Sequence, residues 1–385
     1  MEIETLVNRA EELKEKSLYP QSLKLFKKAY QNYKKIHDLK GMFHCMLSIG
    51  HVYRMIGNFD LAAKYYSGAT ELARKHKEMT WFADARVGLG LSLRAQGKWK
   101  GAIKLIRESK RIYKGKGDRE GLAFSLWAEA GALRIKGRIR EAMKTFKASM
   151  EIFKKLENSQ GIGFCLCGLG GTSRVAGLFS NSLDYYAVAN KLFSNMKDLF
   201  GIAYSYCGIG NAYRMMRDYR TALANFAKAI RLYKKIGDKV SYAYTLWSLG
   251  TTYKMMGNLK KASDNFIGAM LLFNKTKDPR GTIYCRLALG EIDFLEGRKA
   301  SAMKRLRLAL SESVKNNFAI EKCHAVAVLS YVNNPLTPPF NSPLSKGGYR
   351  GVKGVQKGFS GKIDDSCYNS LGLRLKFHGL PFNIP

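Results

Sequence analysis

Apolar and small residues recur along this chain at spacings of three and four, the mark of helices with one buried stripe. Within residues 201–240, Tyr206, Ile209, Gly210 and Tyr213 share one helix face, and Ala222, Phe226, Ala229 and Tyr233 share another. The pattern predicts two helices in that stretch. Seven residues after the small mid-helix position, the chain must turn. Glycine stands there at Gly57, Gly97, Gly137, Gly177, Gly257 and Gly297, with Ser17 and Arg217 as exceptions. Glycine accepts the positive φ that ends a helix at little steric cost.

The same pattern repeats. The small residue falls at Ala10, Gly50, Gly90, Ala130, Gly170, Gly210, Gly250 and Gly290, an interval of 40 each time without insertion. A bulky residue follows at Phe26, Tyr66, Ile106, Phe146, Tyr186, Phe226, Phe266 and Leu306. A fixed period of this length is the signature of a solenoid. One hairpin cannot bury its own apolar face, so neighbours stack. Asp38, Asp118, Asp198, Asp238 and Asp278 stand just before predicted first helices, where a carboxylate caps free backbone N–H groups. Pro279 suits a first helical position. Eight hairpins account for the array, and a ninth first helix over 320–332 is expected to cover its end. Residues 1–334 form this domain. After Asn334 the periodicity stops and proline and glycine become frequent, so residues 335–385 read as a disordered tail.

These residues resemble the tetratricopeptide repeat family, whose pattern W-x2-L-G-x2-Y, A-x3-F, A appears here as Tyr206-x2-Ile209-Gly210-x2-Tyr213, Ala222-x3-Phe226, Ala229. The 40-residue unit looks like the longer variety found in kinesin light chains, spindle-orientation adaptors and bacterial signalling proteins. The proline that closes the family's second helix is missing. The resemblance covers residues 1–334. It implies an all-α, right-handed superhelical solenoid of helix–turn–helix repeats, with first helices on the concave face and a non-enzymatic role in binding protein segments. The tail segment LTPPFNSPLSKGGYRG separately resembles translated bacterial intergenic repeats, which implies a bacterial source. Read from its residues alone, the tail is basic, with seven Lys/Arg against two Asp.

Charge narrows the choice of partner. The chain carries 65 Lys and Arg against 30 Asp and Glu, a net charge of +35, which favours acidic protein segments or nucleic acid. No base-reading motif accompanies it. No apolar run reaches the ~20 residues of a membrane span, and a cytoplasmic location is expected. The 7 cysteines include no zinc spacing and read mostly as small core residues. No nucleotide loop, metal motif or nucleophile–base motif appears, so neither enzyme activity nor a cofactor is expected.

Two columns fall on the expected concave face. One is basic: Lys14, Arg54, Arg94, Arg134, Arg174, Arg214 and Lys254, broken at Phe294. The other is aromatic: Phe124, Phe164, Tyr204, Tyr244 and Tyr284, with Trp127 and Trp247 three residues on from two of them. Guanidinium groups pair bidentately with carboxylates, and aromatics give contact area at low entropy cost. The columns therefore form a candidate groove for an acidic peptide, or they brace neighbouring helices. A third column holds the variable inner slot, His51, Leu91, Gly131, Gly171, Asn211, Thr251 and Glu291. In the family that slot often sets peptide choice, and Asn211 resembles an asparagine that clamps peptide backbone. The helix over 320–332 is also a candidate for self-association.

Overall fold

A computed structural model of the protein describes residues 2–333, 366–373, 375 and 380–385. Among these, seventeen helices run in tandem from α1 (Ile3–Glu15) to α17 (Ala319–Asn333), followed by the short α18 (Ser366–Ser370), with no strand. Odd-numbered helices up to α15 (Pro279–Leu295) are the first helices of eight hairpins, and α17 stands alone after them.

Local signals set the helix limits. Asp38, Asp118 and Asp198 accept hydrogen bonds from the backbone N–H of Gly41, Gly121 and Gly201 at 2.8–2.9 Å. Asp238 and Asp278 cap α13 (Lys239–Met255) and α15 in the same way. Pro279 is the first residue of its helix. The six turn glycines all have φ near +80°. Ser17 and Arg217 adopt the same left-handed turn, at φ 58° and 69°. Arg217 therefore does not bend the chain differently from its siblings. A second left-handed position closes each second helix, at His37, Lys77, Gly117, Glu157, Lys197, Gly237, Lys277 and Asn317. Only two of these eight are glycine, so composition gave no hint of the column.

Packing between units turns on bulky second-helix side chains, most of them rings, set against glycines of the first helices. Tyr186 of α10 (Phe179–Asn195) lies between Gly170 of its own unit and Gly208 of the next. A Cβ at Gly208 would stand 2.2 Å from that ring and one at Gly170 2.7 Å, so both helices approach it as only glycine permits.

The superhelix winds tightly enough for its turns to touch. Trp99 Nε1 donates to the Asn316 carbonyl at 3.1 Å, and Lys277 pairs with Asp60 at 2.5 Å. Both contacts join residues 217 apart. One superhelical turn thus takes about five and a half 40-residue units. Tyr19, Val52 and Met55 share an apolar cluster with Ala203, Tyr233 and Ile236 across the same seam. The inner face is consequently an enclosed interior rather than an open trough.

The expected tail divides. Residues 334–365 lie outside the described residues. Residues 366–373 and 380–385 pack on the inside of the last units, and Tyr368, Leu373, Leu380, Phe382 and Ile384 belong to the largest apolar cluster. Cys323, expected as a free core residue, forms a disulfide with Cys367, their Cα atoms 5.4 Å apart. Cys45, Cys165, Cys167 and Cys285 are free and buried, as expected for small core residues. The end helix α17 is covered on its inner side by this returning chain.

Candidate peptide-binding groove

The first helices bring the basic and aromatic columns to the interior, where they meet two different environments. In units 1–6, a cavity of about 790 Å³ is lined by Arg54, Arg94, Arg134, Phe124, Trp127, Phe164 and Tyr204, among others. In the last units the same columns meet the chain's own C-terminus.

A register of 37 residues explains the difference. Three of the basic residues reach the variable slot of the following unit. Lys254 pairs with Glu291 at 2.8 Å, both side chains essentially unexposed. Arg94 reaches over Gly131 and Arg134 over Gly171, where a Cβ would meet the guanidinium at 2.1 and 2.5 Å. Glycine in those slots makes room for a guanidinium and gives it no partner. Arg94 donates only to the Ala128 carbonyl, at 3.4 Å. The Nε atoms of Arg54, Arg134 and Arg174 are buried without a hydrogen-bond partner among the described residues. Among those residues no carboxylate lies within ion-pair distance of Arg54, Arg94, Arg134 or Arg174.

Most of the acidic residues that line the cavity are engaged elsewhere. Glu11 pairs with Lys14 and His44. Burial raises its pKa, but those partners outweigh burial and hold it near 2. Asp118 and Asp198 are helix caps, Asp84 accepts from the Tyr113 hydroxyl at 2.6 Å, and Glu120 accepts from Asn158 at 3.1 Å. Burial, followed by the charges of Arg134 and Arg54, lowers Arg94 to about 10. It stays cationic near neutrality, so the cavity wall presents guanidinium groups with no carboxylate within ion-pair distance among the described residues.

The aromatic column serves mainly to join first helices. Trp127 Nε1 donates to the Phe164 carbonyl and Trp247 Nε1 to the Tyr284 carbonyl, each at 3.3 Å. Phe164 packs on Phe193 at 5.0 Å, Tyr244 on Phe273 at 4.7 Å and Trp247 on Tyr284 at 5.0 Å. Arg94 lies 5.8 Å over Trp127, and Arg214 5.7 Å over Trp247. Phe124 is the most open of the column, at 38% exposure.

Five of the candidate residues are not free to meet a partner. Arg214, Lys254, Asn211, Trp247 and Tyr284 are all buried. Asn211 orients its own helix's Arg214, accepting from Nη2 at 3.0 Å and Nε at 3.3 Å. Arg214 in turn donates to the Ile384 carbonyl at 3.0 Å and to the Asn383 side chain. The sequence carries no local signal for these contacts, which span 169 and 170 residues.

Helical hairpins stacked around an interior of first-helix side chains define an α-solenoid scaffold. A family model described as "Tetratricopeptide repeat" matches residues 81–155 and 198–267, and a second with the same description matches residues 43–76. The chain thus carries tetratricopeptide repeats over these stretches. No curated protein sequence matches it. Among solved structures, it is similar to the Rap conjugation gene regulator of the plasmid pLS20 in complex with the Phr* peptide, at 14% identity and a TM-score of 0.62, covering 82% of this chain and 95% of that one. It is similar also to a Rap protein complexed with competence and sporulation factor, at 15% identity and a TM-score of 0.57, covering 86% and 99%. A third likeness is to the APC/C hetero-tetramer Cut9-Hcn1, at 16% identity and a TM-score of 0.60, covering 85% and 55%. At these identities the likeness is one of fold.

Proposed function

We propose that the chain is a non-enzymatic scaffold whose cavity in units 1–6 binds an acidic peptide or protein segment. The observation that carries this reading is the set of Arg side chains left without a carboxylate around a cavity of about 790 Å³. That volume lies within the roughly 300–1,000 Å³ of ligand sites. Carboxylates of the ligand would pair with Arg94 and Arg134, with Arg54 and Arg174 extending the field, while Phe124, Trp127, Phe164 and Tyr204 supply apolar wall. The Rap conjugation gene regulator described in complex with the Phr* peptide supports a peptide as the kind of ligand a solenoid of this fold accepts.

The test uses fluorescent hexapeptides carrying zero to three Glu, followed by anisotropy at low and moderate salt. Affinity is expected to rise with each Glu and to fall at least tenfold in the Arg94→Glu/Arg134→Glu double variant, with circular dichroism unchanged. Indifference to Glu content, or full binding by the double variant, overturns the reading. Tighter binding of a random single-stranded DNA probe with a steep salt slope would instead favour a nucleic-acid role for the +35 charge.

A further inference from the structure

The interior changes its chemistry at Arg214. Here a six-residue strip of chain, 380–385, lies in the groove, touched from both sides by buried charged side chains. The Phe382 N–H donates to Glu291 Oε2 at 2.8 Å. The Ile384 carbonyl accepts from Arg214 Nη2 at 3.0 Å. The Asn383 side chain between them accepts from Arg214 Nη1, and its Nδ2 donates to the Arg214 carbonyl at 3.0 Å. Phe382 and Ile384 are 1% and 3% exposed, with the Phe382 ring edge-on to Tyr331 at 6.4 Å.

Such a contact set reads a peptide. The strip's backbone has both a donor and an acceptor satisfied, and its alternate side chains fill apolar positions. The reading groups are held in place without it. Arg214 is fixed by Asn211 and lies over Trp247, and Glu291 is fixed by Lys254. We propose that the last units form a second peptide site, selective for an aromatic–Asn–branched-aliphatic segment, and that residues 380–385 of this chain are its resident ligand.

Selectivity follows from the hydrogen bonds. Asn383 both accepts from the Arg214 guanidinium and donates to the Arg214 carbonyl, a pairing that needs the two ends of an amide. The stretch before the strip is also anchored, because Tyr368 lies against His324, with O–H to Nδ1 at 2.7 Å, and Cys367 is bonded to Cys323. The resident segment is therefore tethered beside its site, and an external segment must displace it against a high effective concentration.

The experiment uses the full chain and a peptide of residues 380–385, LPFNIP, with an uncharged dye on its N-terminus and an amidated C-terminus. Wild type is expected to bind it weakly, its site being full. The Phe382→Asp/Ile384→Asp variant, whose own segment can no longer seat, is expected to bind at least tenfold more tightly. Adding Arg214→Gln to that variant should abolish the gain, and an LPFAIP probe, which can neither accept nor donate at Arg214, should bind at least tenfold more weakly than LPFNIP. Equal binding by wild type and the double-Asp variant overturns the proposal, as does binding that is indifferent to Arg214. Should the double-Asp variant fail to fold, amide exchange on wild type decides. The Phe382 amide is expected to be protected, and at least tenfold less so in Asn383→Ala; an unprotected Phe382 amide in wild type overturns the proposal. The probe is neutral, so this outcome is separable from that of the Glu-bearing peptides.

Discussion

The Lys254–Glu291 pair gives the sharpest test of how the interior is held. Its atoms lie 2.8 Å apart, with side chains 1% and 0% exposed. Burial pushes the Lys254 pKa down, against the pull of Glu291, and pushes the Glu291 pKa up, against the pull of Lys254. Each charge thus depends on the other. Glu291→Leu strands an ammonium in the interior, and Lys254→Met strands a carboxylate that still accepts from Phe382 N–H. Either single change is expected to cost about 3–5 kcal/mol, whereas the double variant should return to within about 1–2 kcal/mol of wild type, because the desolvation cost of both charges disappears. The coupling energy across the cycle is then on the order of 3 kcal/mol or more. The exposed Lys277–Asp60 pair, 72% and 54% exposed, serves as a control and should show a coupling of about 0–1 kcal/mol. Stability is best read by amide exchange in α13 and α15, because a repeat array need not unfold as one unit. If each single variant costs less than about 1 kcal/mol, or if the two costs simply add, the interior is wetter than the structure shows and the pairing argument fails.

Three further outcomes follow from other parts of the molecule. Asp84 is raised to about 6 by burial and by the charge of Asp118, with the Tyr113 hydroxyl opposing; a raised carboxyl contributes stability below its ordinary value of 3.8 and loses it as pH rises through 6. Asp84→Asn should therefore be the more stable chain at pH 7.5, by on the order of 3 kcal/mol, with the difference gone by pH 4 in urea titrations. Arg217 holds φ 69° where its siblings have glycine, so Arg217→Gly should stabilise unit 6 by about 1 kcal/mol, measured by amide exchange in α11 (Leu199–Met215). Trp99→Ala should cost about 3–5 kcal/mol and enlarge the radius of gyration in small-angle scattering, because it removes a buried ring and the bond to Asn316 that join successive turns.

The period of 40 made the hairpins, their caps and their turns legible, because each depends on residues within one unit. Asp198 caps the helix it precedes, and Gly177 turns the chain between the two helices of its own unit. What the period could not convey is anything fixed by the sum of many small rotations between units. The seam that sets Trp99 against Asn316 is one such quantity. It depends on the angle each hairpin adds, and that angle comes from how closely rings such as Tyr186 approach Gly208. The returning C-terminus was illegible for a different reason. Its anchors Tyr368, Phe382 and Ile384 show no helical or strand spacing, and their partners lie in remote units.

The basic column illustrates the same limit at the site. Read along the chain, Arg54 to Lys254 look equivalent, since they occupy one position in one repeat. Their surroundings are set by the slot 37 residues on, which lies on the neighbouring first helix. Glycine at 131 and 171 leaves Arg94 and Arg134 bare; glutamate at 291 neutralises Lys254. Arg214 has Thr251 rather than a carboxylate at the slot 37 residues on, and takes Asn211 and the C-terminal strip as partners. One uniform column thus becomes a cavity walled by unpaired guanidinium groups at one end and a peptide-filled cleft at the other. The division comes from the slot residues rather than from the arginines, so recognition in this solenoid is governed by the column that varies.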